Sequence, residues 1–457
     1  TAAAFAFADT GGRALPLEFA RDFALAAFVT APLALLAVRS TWAPAPVAQP
    51  PAQTQELVPA PARGSTRRSF LKVGSTAVAG AALIRVAPAA SALPRKFVLT
   101  ITDGDIHMID NTPVFFRTFA GVDGKPQIPG PPLGNPGPFE TNPEIIEGKT
   151  VQVVITNLTP RDHTFLIERT GNEDVTDPVV GPVVIPAGGI PVTVEFTAPS
   201  AGTYIYRDAD RNNRILGMHG VMVVMPSDGS NRPYTPAPDR LDIPAEFLAQ
   251  YVWMLHDVDP LLGELARNNP KVQNLDYSID QLVPRYFTIN GVSGVVSTEN
   301  LVTVPVFPVQ DPQASQVGAL IRIVNTGCAT HSPHIHGNHI FLVEQNATPQ
   351  PANVVLEKDV FRMPPLHRIA ALLPVHPGLD AWPPLDPTKG FGEQAYPMHC
   401  HSEMSQTAAG GLYPMGMLTD WRLVAKPQDV AAAKAVVASG KQTQAAKAEI
   451  TRVLGRR

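Results

Sequence analysis

Cysteine is nearly absent: Cys328 and Cys400 are the only two among 457 residues, too few for a disulfide framework, and their unlike surroundings give no ground for pairing them. Charge is sparse as well. Asp, Glu, Lys and Arg make up 17% of the chain, less than the exposed faces of a helical bundle need, and the net charge of -4 supplies no basic field for a nucleic-acid backbone. With no Lys/Arg run longer than a pair such as Arg67-Arg68, nucleic acid is excluded as a partner. Long apolar runs are scarce too. Phe23 to Val38 is apolar, but it falls short of the roughly 20 residues a membrane helix requires and contains Pro32, which disfavours a span. What is abundant is proline, 48 residues, and glycine, 34, the mark of many short strands joined by turns.

Ser65-Thr-Arg-Arg-Ser-Phe-Leu-Lys72 precedes a moderately apolar run from Val73 to Ile84 and the small-residue site Ala90-Ser91-Ala92. That order is the pattern of a twin-arginine export signal over 65–92, and it predicts delivery to a periplasm. Residues 1–64, an upstream apolar and Pro/Ala-rich segment, are expected to stand outside the mature fold.

From Phe97 onward, short β-branched runs bounded by Pro and Gly recur: Phe97–Ile101, Val151–Ile155, Thr164–Ile167, Val192–Phe196, Tyr204–Tyr206 and Val221–Val224. The pattern returns in Leu301–Val306, Ala319–Val324, His339–Val343 and Arg368–Leu373. Period-two alternation of this kind predicts an all-β chain of antiparallel sandwiches, one over 93–235 and one over 281–425. A charged, more helical stretch from about Pro244 to Asn274 is expected within a linker, 236–280, and an Ala/Lys-rich helical tail over 426–457.

Six of the twelve histidines fall in two clusters, His331-Ser-Pro-His334-Ile-His336-Gly-Asn-His339 and His399-Cys400-His401. Side chains two apart on a strand share a face and adjacent ones oppose. His399 and His401 are therefore expected on one face and Cys400 on the other; His334 and His336 share a face, and His331 falls with Cys400. The prediction is two neighbouring metal sites joined through a short length of backbone. Imidazole suits copper and zinc alike, while thiolate beside imidazole with a thioether nearby is the set of copper electron-transfer sites. Met404 and Met415 are the candidate thioethers, with Met398 and Met417 close by. Isolated histidines, His107, His219, His256, His367 and His376, read as structural.

The motif His331-x-x-His334-x-His336-Gly followed by His399-Cys400-His401 resembles the paired copper motifs in the last domain of multicopper oxidases. Pro129-Gly130-Pro131, Glu147-Gly148-Lys-Thr-Val151 and Tyr286-Phe-Thr-Ile-Asn-Gly291 are similar to that family and to two-domain copper nitrite reductases, and the likeness spans roughly residues 97–424. It implies two cupredoxin-like Greek-key domains and copper as cofactor. It further implies that His331 and Cys400 ligate an electron-accepting copper, and that His334, His336, His399 and His401 serve a dioxygen-reducing cluster. An electron from a small-molecule or metal-ion donor would enter at Cys400 and leave through His399 or His401, in a homotrimer.

The sequence departs from that pattern in the first domain, where the matching histidine pairs are replaced by Leu166 with Glu168 and by Arg207 with Ala209. His163 resembles the first histidine of a mononuclear cupredoxin site, yet Asp208 falls where that site's cysteine belongs. In the second domain the positions five and ten after Cys400 are Ser405 and Gly410. A second imidazole must come from His339 or His367, or the site uses Met404 or Met415. Two functions follow: a copper oxidoreductase, or an exported copper-binding and electron-transfer protein without oxygen reduction.

Overall fold

The computed structural model describes residues 94–424 apart from 135–144, 170, 172, 174, 229–231, 233–245, 295–301, 306–316, 338 and 375–393. All of these lie in one unit, Val86–Arg457. The expected export signal, the upstream segment and the helical tail lie outside the described residues. Among the described residues no helix is long and apolar enough to cross a membrane.

Nine strands build the first sandwich. In chain order they are β1 (Arg95–His107), β2 (Pro113–Ala120), β3 (Ile145–Ile146), β4 (Thr150–Asn157) and β5 (His163–Ile167). There follow β6 (Val180–Ile185), β7 (Val192–Thr197), β8 (Gly202–Asp208), a short helix α1 (Arg211–Ile215) and β9 (His219–Met225). One sheet runs β2-β1-β4-β7 and the other β3-β9-β8-β5-β6. Strand β4 shows why: Val151, Val153 and Ile155 are buried while Gln152, Val154 and Thr156 are half exposed, the alternation of a sheet with one covered face.

The second sandwich opens with β10 (Glu246–Val258), helix α2 (Pro260–Asn268), β11 (Tyr286–Ile289), β12 (Val302–Pro305) and β13 (Val317–Asn325). It continues through β14 (Pro333–Ile335), β15 (Ile340–Gln345), β16 (Thr348–Pro349), β17 (Leu356–Lys358), β18 (Arg368–Pro374), β19 (Gln394–Cys400) and β20 (Leu418–Val424). Its sheets run β11-β10-β13-β18-β15-β16, with β17 beside β15, and β12-β20-β19-β14. The chain is thus all-β, with two cupredoxin-like sandwiches.

Two expectations need correction. Glu246 to Val258 is neither linker nor helix: it pairs parallel with β13 and antiparallel with β11 as a strand of the second sandwich. Its apolar run Tyr251 to Leu255 is continuous because the strand is covered on both faces, which removes the period-two signal. The helical part shrinks to α2, where Asp259 caps by accepting from Leu261 N–H at 2.9 Å and Pro260 opens the first turn.

The sandwiches pack through their inner sheets. Tyr204, Tyr206, Met222 and Val224 face the first core, while Ile205, Val221 and Val223 pack against Met254, Leu320, Val324, Phe341 and Leu372 of the second. Charge is buried in this junction. Arg207 Nε donates to Glu168 at 2.9 Å, Arg368 lies 3.7 Å from the same carboxylate, and Arg322 lies 3.4 Å from Glu344. Glu344 also accepts from Thr203 N–H at 3.0 Å.

His219 and His256 meet at a tilt of 43°, ring centres 4.3 Å apart and both buried. Burial holds His219 well below the ordinary histidine range and brings His256 down to about 4. A ring kept neutral in the fold binds fewer protons than in the unfolded chain. Its stability is full above the unfolded value of about 6.5 and is lost as pH falls through about 4. His256→Gln keeps a donor for Ile215 O and removes the titration. Urea denaturation across this range should show the variant losing less stability than the parent, by roughly 3 kcal/mol at pH 4.

Candidate metal centre

The site is set by one register. Strand β14 pairs antiparallel with β19 so that Pro333 opposes Cys400, His334 opposes His399 and Ile335 opposes Met398. Opposed residues share a face, so His334 and His399 lie side by side and Cys400 turns the other way, into the core with Ile335, Tyr396 and Met398. Gly337 lets the chain turn after His336. Its φ is +72°, and a Cβ there would meet the Tyr396 ring at 2.3 Å.

On the outer face four imidazoles gather. Ring centres of His334 stand 4.7 Å from His336, 4.7 Å from His401 and 5.5 Å from His399. His334, His399 and His401 each offer a ligand atom within 4.8 Å of the others, and His336 Nε2 lies 3.0 Å from His399 Nε2. His334 Nδ1 faces Asp359 O at 3.2 Å and His399 Nδ1 faces Cys400 O at 3.3 Å. A carbonyl only accepts, so these nitrogens carry the hydrogens and each Nε2 keeps its lone pair. Burial, and then the neighbouring rings, bring His336 down to about 4; burial does the same for His399, and lowers His334. Neutral rings with converging lone pairs are what a borderline metal ion takes.

On the inner face Cys400 Sγ lies 3.7 Å from His331 Nδ1 and accepts Ser332 N–H at 3.2 Å. Ser405 Oγ lies 3.0 Å from the same Nδ1, and Asp257 Oδ1 lies 2.7 Å from His331 Nε2. Burial opposes charge on all three ionisable groups. The Asp257 carboxylate and the Cys400 sulfur nonetheless raise His331 to about 9, and His331 lowers both Cys400 and Asp257. In the metal-free chain each group thus favours the charged form of the other.

The structure therefore brings His331 to Cys400, and His334, His336, His399 and His401 to one another. It does not bring the remaining candidates to the thiol. Met404 is 68% exposed, outside the core that holds Cys400. Met415 packs against the separate cluster of Met108, Val114 and Phe116. His367 faces Gln345 at 2.9 Å. His339 lies near enough to His334 to disfavour its protonation. His163 is buried in the first sandwich with Nδ1 2.9 Å from Asp208, an acid standing where a thiol would be needed. The sequence reading missed Asp257; its signal was a carboxylate inside the apolar run Trp-Met-Leu-His-Asp-Val of β10.

Among the described residues the first sandwich brings no matching copper ligands to the positions the resemblance points to. Leu166 is buried and apolar, and Glu168 and Arg207 are paired in the junction.

No family model and no curated protein sequence matches the chain. Solved structures do. The chain is similar to a blue copper oxidase from Nitrosomonas europaea, TM-score 0.50 at 20% identity, over 72% of this chain and 85% of that one. It is also similar to the multicopper oxidase mgLAC, TM-score 0.48 at 19% identity, over 72% and 86%. A copper nitrite reductase from Nitrosomonas europaea aligns with TM-score 0.44 at 16% identity, over 72% and 93%. At the first of these similarities the shared property is the fold, two cupredoxin-like sandwiches.

If the outer face is a metal centre, His399→Ala removes a ring from the three-histidine set and from the His336 contact. Competition with a chromophoric chelator should show a loss of affinity beyond the roughly 10–100-fold that an outer partner costs, while His367→Ala leaves affinity unchanged.

Proposed function

We propose that the chain is a copper-dependent oxidoreductase whose metal chemistry is carried by its second sandwich. The observation behind this is the β14–β19 register, with three imidazoles within 4.8 Å on one face and thiol and imidazole 3.7 Å apart on the other. The donor sets fit copper: imidazole nitrogens outside, thiolate with imidazole inside. Bound copper would supply one-electron transfer, with His331 and Cys400 as ligands of the inner ion and His334, His336, His399 and His401 around the outer one.

The chain's own contribution is to separate the faces and join them. His399-Cys400-His401 is a covalent link between the thiol and two rings, so an electron given to the inner pair by a small-molecule or metal-ion donor has a through-bond route outward. The apolar surroundings of Cys400 keep water from the sulfur. On the outer face His336 Nε2–H donates to the His399 Nε2 lone pair in the metal-free chain, a hydrogen that a bound ion would displace.

A second reading is favoured by one contact, the Arg207–Glu168 pair at 2.9 Å. Those positions match ligands of a dioxygen-reducing cluster, and here they are committed to a buried ion pair. A three-copper cluster completed by a first sandwich, whether in this chain or across a homotrimer, does not fit these residues. Copper binding and electron transfer without dioxygen as acceptor is the reading this contact supports. The Arg67-Arg68 segment supports export to a periplasm in either case.

Copper analysis with oxygen uptake on a phenolic or metal-ion donor separates the readings. Three or four coppers with oxygen uptake indicate the oxidase; one or two coppers that accept electrons without uptake indicate the transfer protein. Cys400→Ser should remove any intense visible thiolate-to-copper band, and a band that survives it removes Cys400 from the electron path.

A further inference from the structure

Asp257 is fully buried at the end of β10. Its Oδ2 accepts two successive backbone N–H groups, Cys328 at 2.6 Å and Ala329 at 2.8 Å. The turn comes this close because residue 327 is glycine: the Cβ of any other residue there would lie 2.2 Å from Oδ2. Two donors thus fix one carboxylate oxygen on the turn, and the other, Oδ1, is left 2.7 Å from His331 Nε2. The contact is an off-axis ion-pair approach, and at 2.7 Å a carboxylate oxygen repels a bare ring lone pair, so the nitrogen facing it carries hydrogen. Nδ1 is then the nitrogen with the lone pair in the neutral ring, and it is Nδ1 that stands 3.7 Å from Cys400 Sγ.

We propose that Asp257 is a positioning residue that holds His331 in the Nε2–H tautomer and so presents Nδ1 to a metal ion bound at Cys400. The metal half of this statement rests on the copper reading above; the tautomer half concerns the metal-free chain. Outer partners of ligating histidines fix tautomer and ring orientation in general. Here the partner comes from a strand distant in sequence, and the turn at Gly327 locks its orientation.

Asp257→Asn gives a sharp test because the two backbone donors still need an oxygen. The amide oxygen must stay on Cys328 and Ala329 N–H, which turns the NH2 group toward His331 Nε2. Nε2 then accepts, and the ring hydrogen moves to Nδ1, against the metal. Nitrogen-15 NMR of histidine-labelled, metal-free protein reads this directly at alkaline pH, once the shifts of both ring nitrogens show the ring to be neutral. The parent should carry its hydrogen on Nε2 and the variant on Nδ1. Copper(I) affinity at Cys400, measured by chelator competition, should fall roughly 10–100-fold in the variant, with the outer histidine face unchanged.

A parent ring protonated at Nδ1 overturns the proposal even when the variant does not fold. A folded variant with an unchanged tautomer overturns it as well. Tautomer reversal in a chain that takes no copper at Cys400 supports the positioning by Asp257 and refutes the copper reading instead.

Discussion

The pairing of β14 with β19 is the constraint on which both candidate faces depend. Successive side chains on a strand leave opposite faces, so the single opposition of His334 with His399 sends the rings outward and the thiol inward. A slip of one residue would exchange them, placing imidazoles in the core and sulfur in water. Two things resist such a slip. Strand β20 grips the other edge of β19, with Thr419 opposite Met398 and Leu418 opposite His399. The core side is apolar at Ile335, Tyr396 and Met398 as well as at Cys400, and a polar ring there would lose its partners.

The first sandwich plays a different part. Its strands β8 and β9 are buried along their whole length because the second sandwich covers the face that a free domain would show to water. That junction takes in Glu168, Arg207, Arg322, Glu344 and Arg368, all nearly inaccessible. Taking ions out of water costs several kcal/mol each, which the pairing of Arg207 with Glu168 and of Arg322 with Glu344 offsets, so Glu168 and Arg207 are not spare groups that a metal ion recruits. The candidate metal donors are therefore concentrated on one sandwich, and the other contributes a covered face.

Much of this was legible in the sequence, and the reasons are local. Short β-branched runs between Pro and Gly marked strands such as β4 and β13, where one face or both is covered by apolar neighbours. The spacing of His334, His399, Cys400 and His401 was enough to assign faces, because strand parity needs no knowledge of the rest of the fold. Strand β10 was not legible: a run buried on both faces loses its alternation, and Glu, Leu, Ala, Gln and Met at its start and centre favour helix locally. For the same reason Asp257 went unnoticed, since its importance comes from a turn some seventy residues away (Cys328, Ala329) and from His331. The methionines misled because they are equally at home as packing: Met415 fills an apolar cluster and Met404 stands in solvent.

The central claim is that one strand separates two copper positions. Anomalous diffraction at the copper edge from copper-loaded crystals measures it most directly. Two peaks are predicted, one against Cys400 and His331 and one among His334, His336, His399 and His401, on opposite sides of β19. Copper bound away from both sets, or a single peak in the first sandwich near His163, would contradict the account.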